Sequence, residues 1–258
     1  MPGEQRNKKL FIPAEKEGRK MNLKRKCGES IPGTGPVFEK QAVHWVILGL
    51  LLLTLYGVSR TEIIREGSLW GLGSVQWLWT AAGLAAAHQV YVWFCWRIEL
   101  HLRFITRHLG RRGFSLYAFG FAVLGILRAA AVFFLAAANR DTLPVHPAVL
   151  KSLAVISAVP SVYLMYSVAR YFTFRRALGG DHFFESYRNA PLVRKGIFRF
   201  TRNGMYTYGF LILWSVALWF GSAAALCAAA FNHAYIWVHY FCTELPDLKR
   251  IYQSGELK

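Results

Sequence analysis

The sequence has few charged residues and few cysteines, and each shortage excludes a class of protein. Only 17% of its 258 residues are Asp, Glu, Lys or Arg, whereas about a quarter of residues are charged in ordinary soluble domains. The four cysteines are scattered and match neither a disulfide framework nor a zinc pattern. We therefore predict reduced thiols, no metal site and no stapled secreted module. No apolar segment follows the first basic residues, so we expect no cleaved signal peptide.

Long apolar runs are what the chain does contain, since 54% of its residues are hydrophobic. A helix needs about 20 apolar residues to cross a bilayer, and helices satisfy every backbone polar group inside lipid. The sequence therefore predicts an all-α, polytopic transmembrane helical bundle of about five to six membrane helices, the last two forming a hairpin around Gly221. The apolar runs are 43–58, 70–96, 114–138, 147–169, 205–220 and 222–241.

The distribution of basic residues predicts how the bundle is oriented. Of 31 Lys and Arg residues, 26 fall in segments 1–42, 97–113 and 170–204 and in the C-terminal tail. Because basic residues stay on the cytoplasmic side, we expect an integral membrane protein with both termini cytoplasmic, in a bacterial cytoplasmic membrane or the endoplasmic reticulum. The net charge of +17 is then explained without a nucleic acid partner. Six crossings, or four crossings and a re-entrant hairpin, both fit this pattern.

Residues 1–42 differ in composition from the rest of the chain. They hold ten basic residues, five glutamates and four prolines without an apolar period. We interpret them as a flexible basic cytosolic tail that is attracted to anionic lipid and is dispensable for chemistry. Residues 43–258 are then the membrane domain. The sequence leaves the oligomeric state open.

Chemistry-bearing residues cluster between residue 178 and the C-terminus. The segment LGGDHFF (178–184) carries glycines beside an acid–base pair, TRNGMYTYG (201–209) precedes the last hairpin, and TELPDLKRIY (243–252) follows it. Because the hairpin folds the chain back on itself, we expect Tyr206 and Glu244 to be neighbours at the cytosolic edge. The region 178–258 is therefore the predicted cofactor region, with a pocket at that edge.

These segments, with YVWFCWRIELHLRFITRHLG (91–110), resemble the integral membrane methyltransferases that include phosphatidylethanolamine N-methyltransferases and isoprenylcysteine carboxyl methyltransferases. The phospholipid N-methyltransferase branch is the nearest in pattern. Gly204 stands where the family usually has Pro, and Leu245 replaces the second Glu of its paired-acid element. The resemblance implies a methyltransferase that takes S-adenosylmethionine as donor and a membrane lipid as substrate. The implied acceptor is the amine headgroup of phosphatidylethanolamine and its methylated forms.

The resemblance, together with the charges of donor and acceptor, assigns provisional roles to individual residues. A sulfonium centre favours a carboxylate and aromatic faces, and the donor's own carboxylate favours Arg or backbone N–H groups. A protonated amine needs a base, which His or a carboxylate supplies. We expect Asp247, three residues past Glu244, to face solvent. The predicted catalytic residues are Asp181, His182 and Glu185, and the predicted cofactor-binding residues are Gly179, Gly180, Arg202, Asn203, Tyr206, His233, Tyr240 and Glu244.

Several of these residues have simpler explanations that the sequence leaves open. Arg202 suits anionic headgroups, and Tyr206 and Tyr240 suit an interfacial aromatic belt. His88 and Gln89 inside the second apolar run would line a lipid cleft or bond a neighbouring helix. Arg128 in the third run is expected to snorkel towards the outer surface.

Other functions also fit parts of the pattern. The alternatives are an isoprenylcysteine carboxyl or other small-molecule methyltransferase, and a nicotinamide-dependent membrane sterol or polyprenol reductase. A transporter or scaffold would place polar residues at broken helices near the bilayer midplane. Here they concentrate at one predicted edge, which favours an interfacial enzyme.

Overall fold

The computed structural model describes residues 35–188 and 193–252, so the predicted tail up to residue 34, with Cys27, lies outside the described residues. Within those ranges the chain is almost entirely helical, which confirms the predicted all-α bundle. Two two-residue strands pair antiparallel, and 3₁₀ turns cover Gly35–Phe38, Gly110–Arg112 and Gly196–Arg199. In chain order the elements are α1 (Gln41–Ser59), α2 (Glu62–Arg65), β1 (Ser68–Leu69), β2 (Leu72–Gly73), α3 (Ser74–Leu102), α4 (Phe104–Leu109), α5 (Gly113–Ala138), α6 (Pro147–Ser167), α7 (Phe174–Ala177), α8 (Gly180–Phe183), α9 (Glu185–Arg188), α10 (Gly204–Tyr208), α11 (Leu211–Trp219), α12 (Ala223–His239) and α13 (Leu245–Ile251).

The six apolar runs of the sequence become α1, α3, α5, α6, α10 with α11, and α12. In the part of the chain that the structure describes, three helical stretches are long and apolar enough to cross a membrane: Gly35–Ser59, Phe104–Ala138 and Pro147–Phe172. Gly204–Trp219 is a shorter apolar stretch. These helices indicate an integral membrane protein.

The centre of the bundle depends on small residues that let helices approach closely. α12 buries five alanines along one face, and α3 buries Ala81, Ala82 and Ala85. The two helices pack against each other, and α3 also packs along α5. Close backbone approach of this kind is the usual basis of helix association in lipid, where burial of apolar surface gives no driving force.

One asparagine ties three connections together at one end of the bundle. Asn139 donates from Nδ2 to the carbonyls of Ile63 and Glu66, at 2.8 and 2.9 Å. Its Oδ1 accepts from Ser222 Oγ at 2.9 Å and from the Ala224 backbone N–H at 2.8 Å. The tip of the last hairpin thus lies at the same end of the bundle as the α5–α6 connection.

Residues 35–42, which the sequence places in the tail, pack against the bundle. Trp93 Nε1 donates to the Val37 carbonyl at 3.1 Å, and Arg97 donates to the Pro36 carbonyl. Gln41 Nε2 donates to Thr243 Oγ1 at 3.3 Å. The packed part of the chain therefore begins at or before Gly35.

Because of these contacts, two truncations of the predicted tail are expected to differ in stability. A chain that starts at Gly35 is expected to keep the thermal midpoint of the full chain within about 2 °C, because it retains every contact described above. A chain that starts at Val43 is expected to melt lower, since Arg97 and Trp93 then lose buried acceptors at about 1–3 kcal/mol each. Thermal unfolding of both truncations in one detergent checks this. Equal midpoints for the two would contradict it.

Candidate active site

The helices leave a cavity of about 260 Å³ at the end of the bundle opposite Asn139. It runs inward from Glu244, which follows α12, to Arg128, which lies in the middle of α5. Two π-helical segments, Val168–Phe172 and Tyr240–Glu244, border it. Short π-helical segments inside α-helices are frequent at functional sites, because they redirect side chains away from the regular helical period.

Acidic groups concentrate at the mouth of this cavity. Glu244 is 9% exposed and makes no ion pair with residues 35–188 or 193–252. Burial, reinforced by the neighbouring Asp181 and Asp247 carboxylates, raises the pKa of Glu244 to about 8. The mouth therefore has the electrostatic environment of a cation site.

A second set of contacts holds the Asp181 carboxylate. Tyr252 donates its hydroxyl hydrogen to Asp181 Oδ2 and accepts from Arg176 Nη2 at 2.7 Å. Arg176 Nε lies 3.5 Å from Asp181 Oδ1, with both side chains at least nine-tenths buried. Because Arg176 compensates Asp181, Glu244 is the acidic group here that lacks a cationic partner among the described residues.

His182 occupies a fixed position beside these acids. Its ring stacks on Trp96 with centroids 4.3 Å apart. Its Nε2 lies 3.5 Å from Asp247 Oδ2, which in turn accepts from Arg97 Nε at 2.8 Å. The imidazole is therefore held between an aromatic face and a buried carboxylate.

The glycine pair of LGGDHFF is required by packing. Gly179 has φ 80°, and a Cβ there would lie 2.3 Å from the Trp96 ring. A Cβ on Gly180 would lie 2.7 Å from the Arg175 carbonyl oxygen. The two glycines therefore let α8 begin directly against α3, which brings Asp181 and His182 into the cavity.

Aromatic residues form a further wall of the mouth. The Tyr206 and Tyr240 ring centroids lie 4.9 Å apart, and Asn203 lines the cavity with them. Tyr206 is buried and lines the cavity with Tyr240, so Tyr206 does not belong to a lipid-exposed aromatic belt. A cationic ligand near Glu244 would contact these ring faces.

Most of the residues predicted from sequence meet in this cavity, and three do not. Glu185 is exposed and pairs with Arg103. His233 accepts from Trp214 Nε1 at 3.2 Å, away from the cavity. Gly180 is buried beneath it. The predicted residues that line the cavity are Gly179, Asp181, His182, Arg202, Asn203, Tyr206, Tyr240 and Glu244.

Two expectations about single residues are wrong. Asp247 is 0% exposed instead of facing solvent, because α13 turns it towards Arg97 of α3. Arg128 does not snorkel outward, since it is 5% exposed and bonded to Asn232 of α12. Both errors come from partners more than 100 residues away in sequence.

Sequence reasoning also missed residues that complete the site. Trp96, Arg176 and Tyr252 line the cavity. Tyr252 could have been found from the sequence, because it ends the segment TELPDLKRIY. Its pairing with Asp181 could not. For His88 and Gln89 the structure supports a position on the cavity wall.

Comparison with known proteins connects this geometry to a family. Residues 150–255 match the model of the phospholipid methyltransferase family, which confirms the resemblance drawn from the sequence. The matched region begins in α6 and contains every predicted site residue. No curated protein and no solved structure matches the chain significantly. The family match indicates a membrane methyltransferase.

Proposed function

Starting from the match to the phospholipid methyltransferase family, we propose that this protein transfers methyl groups from S-adenosylmethionine to a lipid amine. The acceptor that we propose is the headgroup of phosphatidylethanolamine and its partly methylated forms. The observation that carries the proposal is the buried, uncompensated Glu244 carboxyl beside the Tyr206 and Tyr240 rings. Such a site favours a cation, and both the donor and the acceptor carry one.

The residues present fit the donor by charge. When bound, the donor supplies an electrophilic methyl group on a positively charged sulfur. Glu244 would neutralise that charge, and Tyr206 and Tyr240 would contact it through their ring faces. Gly179 and Arg202, which also line the cavity, are further proposed contacts of the donor. Catalysis then consists mainly of positioning and of excluding water.

The acceptor needs a group that removes its proton, because an ammonium nitrogen has no lone pair with which to attack. We assign this role to His182, supported by Asp181 on the same short helix. The Asp247 carboxylate, 3.5 Å from His182 Nε2, would stabilise the imidazolium that forms. Glu185 is a weaker candidate, since its side chain is 67% exposed and paired with Arg103.

We further propose that the mouth of the cavity opens at the cytoplasmic surface, with both termini on that side. The described residues of the basic segments 97–113 and 170–204 lie at this end of the bundle, where Arg97 pairs with Asp247 and Arg202 lines the cavity. Lys195 and Arg199 are exposed there, and each exposed basic residue near an anionic surface contributes about 1 kcal/mol of attraction. The lipid acceptor would enter sideways from the inner leaflet.

Product identification tests the proposed function. Purified protein is incubated with methyl-labelled S-adenosylmethionine and total lipid extract, and the labelled product is identified by mass spectrometry. Label on the nitrogen of phosphatidylethanolamine is expected. Label only in a base-labile methyl ester would establish carboxyl methylation instead, and turnover that requires NADPH and no methyl donor would establish a reductase.

The raised pKa of Glu244 predicts a pH dependence of donor binding. Below about pH 8 the free carboxyl is largely protonated, and its proton must leave before the carboxylate can face a sulfonium. Donor affinity is therefore expected to rise from pH 6 through the pKa of Glu244 and to level off about one unit above that pKa. Calorimetry at several pH values measures this.

Glu244→Gln is the control for these pH measurements, because the glutamine side chain does not titrate. The donor's own amino group titrates in the same range, so its contribution appears in both proteins and cancels in the comparison. The variant is expected to show the smaller pH dependence. Parallel affinity profiles for the two proteins would rule out a titrating Glu244.

A further inference from the structure

Arg128 places a positive charge at the inner end of the cavity, deep in the bundle. It lies 15 residues past Gly113, the first residue of α5, which is about 22 Å along the helix. The side chain is buried from solvent and lines the cavity. A charged residue at such depth is costly and typically serves a ligand or an ion pair.

No acidic residue compensates this charge among residues 35–188 and 193–252. Arg128 donates from Nε to Asn232 Oδ1 and from Nη2 to the Asn232 carbonyl at 3.3 Å. Its guanidinium carbon lies 4.8 Å from the centroid of the Phe210 ring. Both partners are neutral, and Nη1 makes no hydrogen bond within the described ranges.

Two histidines on the same cavity wall also lack partners. His88 is 6% exposed and His239 is 1% exposed, and none of their four ring nitrogens has a hydrogen-bond partner within the described ranges. Both rings line the same cavity as Arg128. Buried polar nitrogens without partners indicate a ligand, because leaving each one unsatisfied costs free energy.

The two ends of the cavity therefore carry opposite charges. The acidic mouth at Glu244 lies 12 residues beyond Asn232, about 18 Å along the helix axis, and the Arg128 guanidinium lies at the level of Asn232, to which it is bonded. An anion bound at Arg128 and a cation bound at the mouth would each face a group of opposite charge.

We propose that Arg128, flanked by His88 and His239, is an anion subsite that binds the carboxylate or phosphate of a ligand in the cavity. The proposal deepens the methyltransferase assignment and rests on it, since the donor brings a carboxylate and a phospholipid acceptor brings a phosphate. The oxyanion at this subsite thus has two candidate sources, the donor and the lipid. The structural alternative is that Arg128 only ties α5 to α12 through Asn232.

Binding measurements on the unaltered protein give the first test. S-adenosylmethionine is compared with its decarboxylated analogue, and a short-chain phosphatidylethanolamine with a primary amine of equal chain length that lacks phosphate. Loss of a charge-assisted contact is expected to weaken one of the two anion-free ligands by about 10- to 150-fold. If both bind within twofold of their parents, the cavity has no anion subsite.

The variants Arg128→Gln and Arg128→Lys assign that effect to the residue. Arg128→Gln is expected to abolish the preference for the anionic ligand, and Arg128→Lys to retain most of it, because charge rather than the Asn232 contact is what matters. A donor-only effect assigns the subsite to the carboxylate, and a lipid-only effect assigns it to the phosphate. If Arg128→Gln keeps the full preference, the residue is structural and the proposal is wrong.

Inorganic phosphate separates this proposal from the proposed function. At equal ionic strength, phosphate is expected to raise the thermal midpoint of the unaltered protein above its value in chloride, and to do so less in Arg128→Gln. If neither donor nor lipid binds, the methyltransferase assignment fails while the phosphate measurement still decides on the subsite. An equal phosphate effect in both proteins would overturn the subsite.

Discussion

Replacing Arg97 by methionine is expected to lower the thermal midpoint of the protein by roughly 6–20 °C. Arg97 and Asp247 form an ion pair of 2.8 Å in which both side chains are 0% exposed. Removing one partner of a buried pair costs about 3–5 kcal/mol, because the other charge is left buried without compensation.

The cost extends beyond the pair, because Arg97 also joins separate parts of the chain. Its Nη2 donates to the carbonyls of Cys242 and Thr243, each at 3.2 Å. Another donor reaches the Pro36 carbonyl. The variant would therefore loosen the N-terminal segment, the π-helical turn that carries Glu244, and the carboxylate beside His182.

Two matched variants make this result specific. Arg103→Met breaks an ion pair whose side chains are 63% and 67% exposed, and it should change the midpoint little, because exposed pairs contribute about 0–1 kcal/mol. The double variant Arg97→Met with Asp247→Leu removes both buried charges and is expected to recover part of the loss. An unchanged midpoint in Arg97→Met would show that the pair has no net stabilising role.

Replacing Glu244 by glutamine is expected to weaken donor binding by about 10- to 150-fold at pH 8.5, the range for a lost charge-assisted hydrogen bond. At that pH the parent carboxylate is charged, whereas glutamine keeps the size and hydrogen-bonding capacity without charge. The expected loss is smaller at pH 6, where both side chains are neutral. Calorimetry in one detergent at both pH values measures the difference.

The control for Glu244→Gln must be an acidic residue away from the cavity. Asp247 is unsuitable because it is buried against Arg97. Glu62→Gln makes the same chemical change on α2, where the side chain is exposed at the opposite end of the bundle. Glu244→Gln should also fold normally, since it removes repulsion from Asp181 and Asp247. Donor affinity within twofold of the parent at pH 8.5 would exclude Glu244 as the donor ligand.

Local patterns in the sequence were sufficient for the helical framework and for the position of the site. Each apolar run became helical, the fifth as α10 and α11, and most helix ends lie within a few residues of the predicted ones. Hydrophobicity over some 20 residues controls both helix formation and membrane insertion. The cluster around Asp181, Tyr206 and Glu244 was also predictable, since short motifs and a hairpin bring those segments together.

Pairings across the bundle were decided by tertiary structure alone. The rotation of α13 buries Asp247 on Arg97, the contact with Asn232 turns Arg128 inward, and Glu185 points outward to Arg103. Each outcome depends on a partner between 82 and 150 residues away. Neither a hydropathy run nor a local motif encodes how a helix is rotated about its axis. That rotation follows from packing of whole helices, such as the alanine face of α12 on α3, and it determines which charges meet.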